Sequence, residues 1–227
     1  MPSCFKLTCI SGCGLLLVAA LSGAAEGSAT PPDGFVARLE ALALLQTLNA
    51  ELLSHDSATV TLEQWCAAHH LADPARITAE RLPTADQPPT AKQRQELRVT
   101  PTQAVRYRHV KLRCGAVVLS EAENWYVPSR LTAAMNQQLN TTDAPFGKIT
   151  QALHFQRHTI DARLLWHPLP DGWELQPVAT AASADALNPP AQVLEHRALL
   201  LLPDGIPISE VIETYTGNVL AFAAAQP

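Results

Sequence analysis

The chain predicts an α+β protein built on antiparallel strand pairing. Three features carry that expectation: a stretch with helical apolar spacing from Phe35 to Leu53, and two strand pairs turned back on themselves at Gly115 and at Pro203-Asp204-Gly205. Parallel crossovers, which need a dozen or more residues between strands, are scarce. With 227 residues, 47% hydrophobic and 16% charged, the composition suits one globular unit with a sizeable core. A net charge of −5 and the lack of any basic run argue against a nucleic-acid or anionic-membrane surface.

Residues 1–25 read as a secretory signal peptide, with Lys6 as a minimal positive start and Gly14–Leu21 as a short apolar stretch. Ser22-Gly-Ala24 offers small residues for cleavage after Ala24 or Ala25, and the apolar run is too short to span a bilayer. A lipobox-like Ile10-Ser-Gly-Cys13 precedes the apolar stretch instead of ending it, which argues against lipidation. The protein is therefore expected to be exported, periplasmic or secreted, with no membrane association after cleavage. Cys4, Cys9 and Cys13 leave with the signal, so the mature chain keeps Cys66 and Cys114. In an oxidising compartment these two are expected to pair as one disulfide joining the first helix region to a central strand, the alternative being two small buried hydrophobes.

Residues 26–34 form a linker, and 35–222 a single domain. After the first helix, the polar run Ser54–Thr59 breaks the pattern. Thr61-Leu-Glu-Gln64 reads as a capping box opening a second helix through about His70. His69 and His70 point about 100° apart on a helix, so one metal rarely takes both; no metal is expected. Ala75–Leu82 fits a strand. Residues 83–96 fit a loop or short helix without evident chemistry.

Val105–Cys114 alternates as a strand. Arg106, Arg108, Val110, Leu112 and Cys114 share one face, and Tyr107, His109, Lys111 and Arg113 the wet one. Arg108 thus stands on the core side, where a guanidinium needs an anion: either a nearby glutamate or a bound carboxylate. Val117–Val127 returns as the partner strand. A short helix at Leu131–Leu139 leads to the Thr141–Ile149 loop, in which Pro145 and Gly147 stiffen the chain and the Phe146 and Gly147 amides are free to meet an acceptor. Leu153–Trp166 fits a strand with His154 and His158 solvated, and 167–192 a long irregular excursion.

The final hairpin runs from Val193 to Tyr215. Asp204-Gly205 supplies the turn. On the returning strand, Glu213 lies between Val211 and Tyr215 on one face, a carboxylate in apolar company that must reach water or a partner. Glu210 is its rival for an acidic role, because a one-residue bulge would exchange the two faces.

Taken together, Asp56-Ser-Ala-Thr59, Arg108-x-Val-x-Leu112, Thr142-Asp-Ala-Pro-Phe-Gly147 and Gly205-x-Pro207…Glu213 resemble the chorismate lyase (chorismate pyruvate-lyase) family over roughly Leu45 to Tyr215. That fold is shared with the ligand-sensing domain of some bacterial transcription regulators. The resemblance implies a single antiparallel sheet flanked by helices, with a ligand pocket enclosed under helical flaps. It implies that Arg108 binds a ligand carboxylate and that Ala58 and Phe146, with Gly147 beside it, offer backbone donors. Glu213 would sit at the far end of the ring as general acid or orienting group. Elimination of pyruvate from chorismate to a hydroxybenzoate needs positioning and one proton transfer, hence no cofactor. Two functions follow as expectations: an exported chorismate lyase-like enzyme with Arg108 and Glu213 as catalytic residues, or a non-catalytic binding or sensing protein for an aromatic or other small carboxylate. The sequence leaves open whether the chain catalyses anything, and a purely structural role is the third expectation.

Overall fold

A computed structural model describes residues 1, 32–177, 183 and 185–224. Apart from Met1, the signal peptide read over residues 1–25 lies outside the described residues, as do Cys4, Cys9 and Cys13 and most of the 26–34 linker.

Six strands form one sheet in the order β1-β2-β3-β6-β5-β4, every neighbouring pair antiparallel. They are β1 (Ile77–Arg81), β2 (Arg106–Cys114), β3 (Val117–Tyr126), β4 (Gln156–Leu164), β5 (Gln192–Leu201) and β6 (Pro207–Thr216). The helices are α1 (Phe35–Ser54), α2 (Ala58–Ala68), α3 (Ala91–Glu96), α4 (Ala133–Thr141) and the single turn α5 (Phe146–Ile149). The architecture is α+β. Two tight turns fix the hairpins. Gly115 (φ +55°) and Gly205 (φ +80°) occupy the left-handed region that glycine enters without a Cβ penalty. Asp204 adds a carboxylate oxygen that accepts from the Ile206 amide at 3.0 Å.

Strand register decides which residues share the inner face. Arg108 stands opposite Asn124, Asn124 opposite Val211, and Val211 opposite Ala198. One step along, Val110, Ala122, Glu213 and His196 form the next row. The main core covers this face: Leu45, Leu48 and Leu52 of α1 and Leu62, Trp65 and Cys66 of α2 pack on Val110, Leu112, Val211 and Tyr215. Spacings of three and four place the α1 leucines on one stripe, which continues through Ala41 and Ala37. Cys66 and Cys114 are joined as a disulfide, Cα atoms 6.2 Å apart, tying α2 to the end of β2.

Several expectations need correction. The second helix does not open with a capping box at Thr61. It starts at Ala58, with Ser57 as the cap accepting from the Val60 amide, because Ser57 precedes the first buried turn and Thr61 is already inside it. The capping box lies elsewhere, at Thr90 and Gln93, opening α3. Residues 83–96, read as devoid of chemistry, bring Gln93 and Glu96 of α3 onto the outer face of the sheet, where Arg197 pairs with both Glu96 and Glu210. The Thr141–Ile149 stretch is not all loop, since Phe146–Ile149 closes one helical turn.

Candidate functional site

A cavity lies on the inner face of the sheet beneath the start of α2 and the α5 turn. Its wall brings together Ala58, Arg108, Phe146, Gly147 and Glu213, all five binding residues expected from the sequence, and adds Asp56, Asn124 and Arg157. The lid is two backbone turns in close contact. A Cβ on Gly147 would sit 3.0 Å from Ser57 Oγ and 3.1 Å from Thr59 Oγ1, so only glycine lets α5 approach α2 this closely. Glu63 braces the pair from outside, taking the Lys148 ammonium at 2.7 Å and the Ile77 amide at 3.1 Å.

Arg108 is 6% exposed. One of its terminal nitrogens donates to the Ala144 carbonyl at 3.3 Å, while Nε has no partner among the described residues. Burial, together with the like charge of Arg81, brings its pKa down to about 10. An arginine in this position still carries its charge at neutral pH, so it is a buried cation without a counter-ion.

Glu213 does not face Arg108 as an ion-pair partner. Its carboxylate takes Arg157 at 2.6 Å, both side chains almost wholly buried, and accepts from the Tyr215 hydroxyl at 3.2 Å. Burial alone would lower the Arg157 pKa, but the Glu213 charge and Tyr215 more than offset it and hold the guanidinium above its ordinary value. Tyr215 is pushed well up by burial and by the adjacent Glu213. Arg157 was the residue missed from sequence. It lies on β4, an edge strand whose other positions are mostly exposed, and nothing in that local pattern marks one arginine as the buried one. Glu210, the rival, points to the opposite face and pairs with Arg197 at 2.8 Å.

Next to this pair, His196 is fully buried, with Nε2 2.8 Å from Asn49 Oδ1. A carboxamide oxygen only accepts, so the proton sits on Nε2. Burial, then the Arg157 charge, pushes the His196 pKa down to about 4. In the unfolded chain a histidine titrates near ~6.5. Between those values the unfolded state binds the extra proton, so stability falls as pH drops from about 6.5 toward 4 and is unaffected by this group above that window. Urea unfolding at pH 7.5 and 4.5 should show wild type losing roughly 2–3 kcal/mol more than His196→Gln; parallel losses in the two proteins would refute the assignment.

A larger cleft of about 690 Å³ is lined by Lys111, Glu121 and Thr214 of the sheet and by Ala37 and Glu40 of α1, among others. None of its charged side chains is a buried group lacking a partner, so the inner cavity is the candidate site. Among the described residues no three His, Cys, Asp or Glu side chains cluster as a metal site would need, and no helix is long and apolar enough to cross a membrane.

Fold and site define an α+β antiparallel-sheet protein with a charged cavity buried under two helical turns. The chain belongs to the family of the uncharacterized protein y4mC of Sinorhizobium fredii, to which it is 52% identical over 194 residues, 85% of this chain and 82% of that one. No family model matches. Solved structures with a related architecture include PhnF from Mycobacterium smegmatis (TM-score 0.47, 14% identity, 73% of this chain and 66% of that one) and its effector domain (TM-score 0.45, 14%, 72% and 90%). The possible transcriptional regulator YydK from Bacillus subtilis is also similar (TM-score 0.39, 15%, 62% and 57%). The chain thus spans less than two thirds of the YydK and PhnF chains.

Proposed function

We propose that this protein binds a small organic carboxylate, with the acid group at Arg108, as a non-catalytic binding or sensing protein. The observation that carries this reading is Arg108 itself, a buried guanidinium with no acidic partner among the described residues. Holding such a charge out of water costs several kcal/mol unless an anion compensates it. The cavity is small, about 40 Å³, which suits a carboxylate head group; a whole aromatic acid requires the Asp56–Thr59 and Pro145–Gly147 turns to part. Elimination of pyruvate from chorismate is the second reading, favoured by the presence of Glu213 in the same cavity as Arg108. It is the weaker one, since the Glu213 carboxylate is already engaged by Arg157 and Tyr215. A leader over residues 1–25 and the Cys66–Cys114 bridge support an exported protein, periplasmic or secreted.

The purified mature chain with chorismate and with 4-hydroxybenzoate tests both readings. A rise in Tm with 4-hydroxybenzoate and no pyruvate release supports the binder. Pyruvate release lost in Glu213→Gln supports the lyase. Arg108→Met separates function from folding: ligand binding should disappear while the unliganded protein gains about 1–3 kcal/mol, because an uncompensated buried charge is replaced by an apolar chain of similar length. A destabilised Arg108→Met would mean that the guanidinium is a structural strut and not a ligand anchor.

A further inference from the structure

Arg108 belongs to the walls of two cavities. The second, about 160 Å³, lies where β1 stops and is lined by Arg81, Asp86, Tyr107, Arg108, His109 and Tyr126 among others. Strand pairing explains its position. The last residue of β1, Arg81, stands opposite Val110, so the outer edge of β2 from Arg108 back to Arg106 has no strand beside it. Only the Leu82 amide continues the pairing, donating to the His109 carbonyl at 2.9 Å. Into the gap project two guanidiniums from adjacent strands. Arg81 donates to the Leu139 carbonyl at the end of α4, and Arg108 closes the inner wall.

Neither arginine has an ion-pair partner among the described residues, whereas six of the other ten pair with a carboxylate; Arg81 is exposed and Arg108 buried. Asp86 on the same wall is exposed and pairs with neither. Like charges at this spacing repel, and the repulsion is felt at Arg108. A second anion beside Arg81 would relieve it. The space is also four times that of the cavity under the lid (about 160 against 40 Å³), enough for a ring or chain leading away from the first acid group.

We infer that the ligand carries two acidic groups, one held at Arg108 and the other at Arg81 beyond the end of β1. The protein therefore prefers dianions, dicarboxylates or acids bearing a phosphate, to monocarboxylates. This rests on the reading that Arg108 anchors a carboxylate. It makes Arg81 the specificity-determining residue.

Isothermal titration of the mature protein with benzoate, phthalate, isophthalate and terephthalate tests it, alongside Arg81→Gln, Arg81→Lys and Arg108→Gln. The best dicarboxylate is expected to bind about tenfold more tightly than benzoate. Arg81→Gln should remove that advantage, so that the best dicarboxylate binds this variant no more tightly than benzoate does, and Arg81→Lys should retain part of it, which a folding defect would not. If benzoate binds through Arg108 but no dicarboxylate binds more tightly, or Arg81→Gln weakens both acids equally, the second subsite is wrong and the anchor stands. If none of the four acids binds wild type, both ideas fall.

Discussion

Arg157→Ala is expected to lower stability by about 3–5 kcal/mol, the range for removing one partner of a buried ion pair. The loss comes less from the missing attraction than from what stays behind. Glu213 would remain as a buried carboxylate with only the Tyr215 hydroxyl, at 3.2 Å, to share its charge. The double variant Arg157→Met/Glu213→Gln should recover much of the loss, since an apolar chain beside a neutral amide leaves no bare charge in the core. Urea unfolding checks both: the midpoint should fall for the single variant and rise again in the double, at constant m. Additive losses would show that Arg157 and Glu213 are not energetically coupled, and the distance of 2.6 Å between them would then be incidental to the fold.

Removal of the disulfide should have an effect of the same size. Cys66 and Cys114 are 48 positions apart, and closing a loop of that length in the unfolded chain is worth about 4 kcal/mol in the chain-entropy account. Cys66→Ala/Cys114→Ala, or wild type in excess reductant, should melt on the order of 10 °C lower than the oxidised protein. Both sulfurs are fully buried, so alanine also removes packing and the double alanine should be the less stable of the two. No change on reduction would indicate that the thiols are unbridged in solution and would withdraw one support for export.

What the sequence made legible follows from local periodicity. Alternation alone placed Arg108 with Val110 and Leu112, and Glu213 with Val211 and Tyr215, and those are the inner-face rows of the sheet. The turn at Asp204-Gly205 and the hairpin at Gly115 were readable because each needs a residue type that few positions tolerate. The pairing of charges was not readable. Which carboxylate an arginine meets depends on strand order and on how far a long side chain reaches across the sheet. Glu213 therefore meets Arg157 from two strands away, while Arg108 meets neither glutamate of β6. The start of α2 was misplaced for a different reason: Ser57 and Thr61 are both good caps, and only the packing of Ala58 and Thr59 into the core selects the earlier one.

The two glutamates of β6 have an effect on folding beyond the site. Glu210 and Glu213 lie on opposite faces of a central strand, and each meets an arginine from a different strand, β5 and β4 respectively. Sliding β6 by a single position would turn both carboxylates away from these cations at once, leaving the buried Arg157 without a counter-ion and Arg197 with Glu96 alone. Mispaired forms of the sheet are thereby penalised from above and below, and the central strand has one seat that it can occupy.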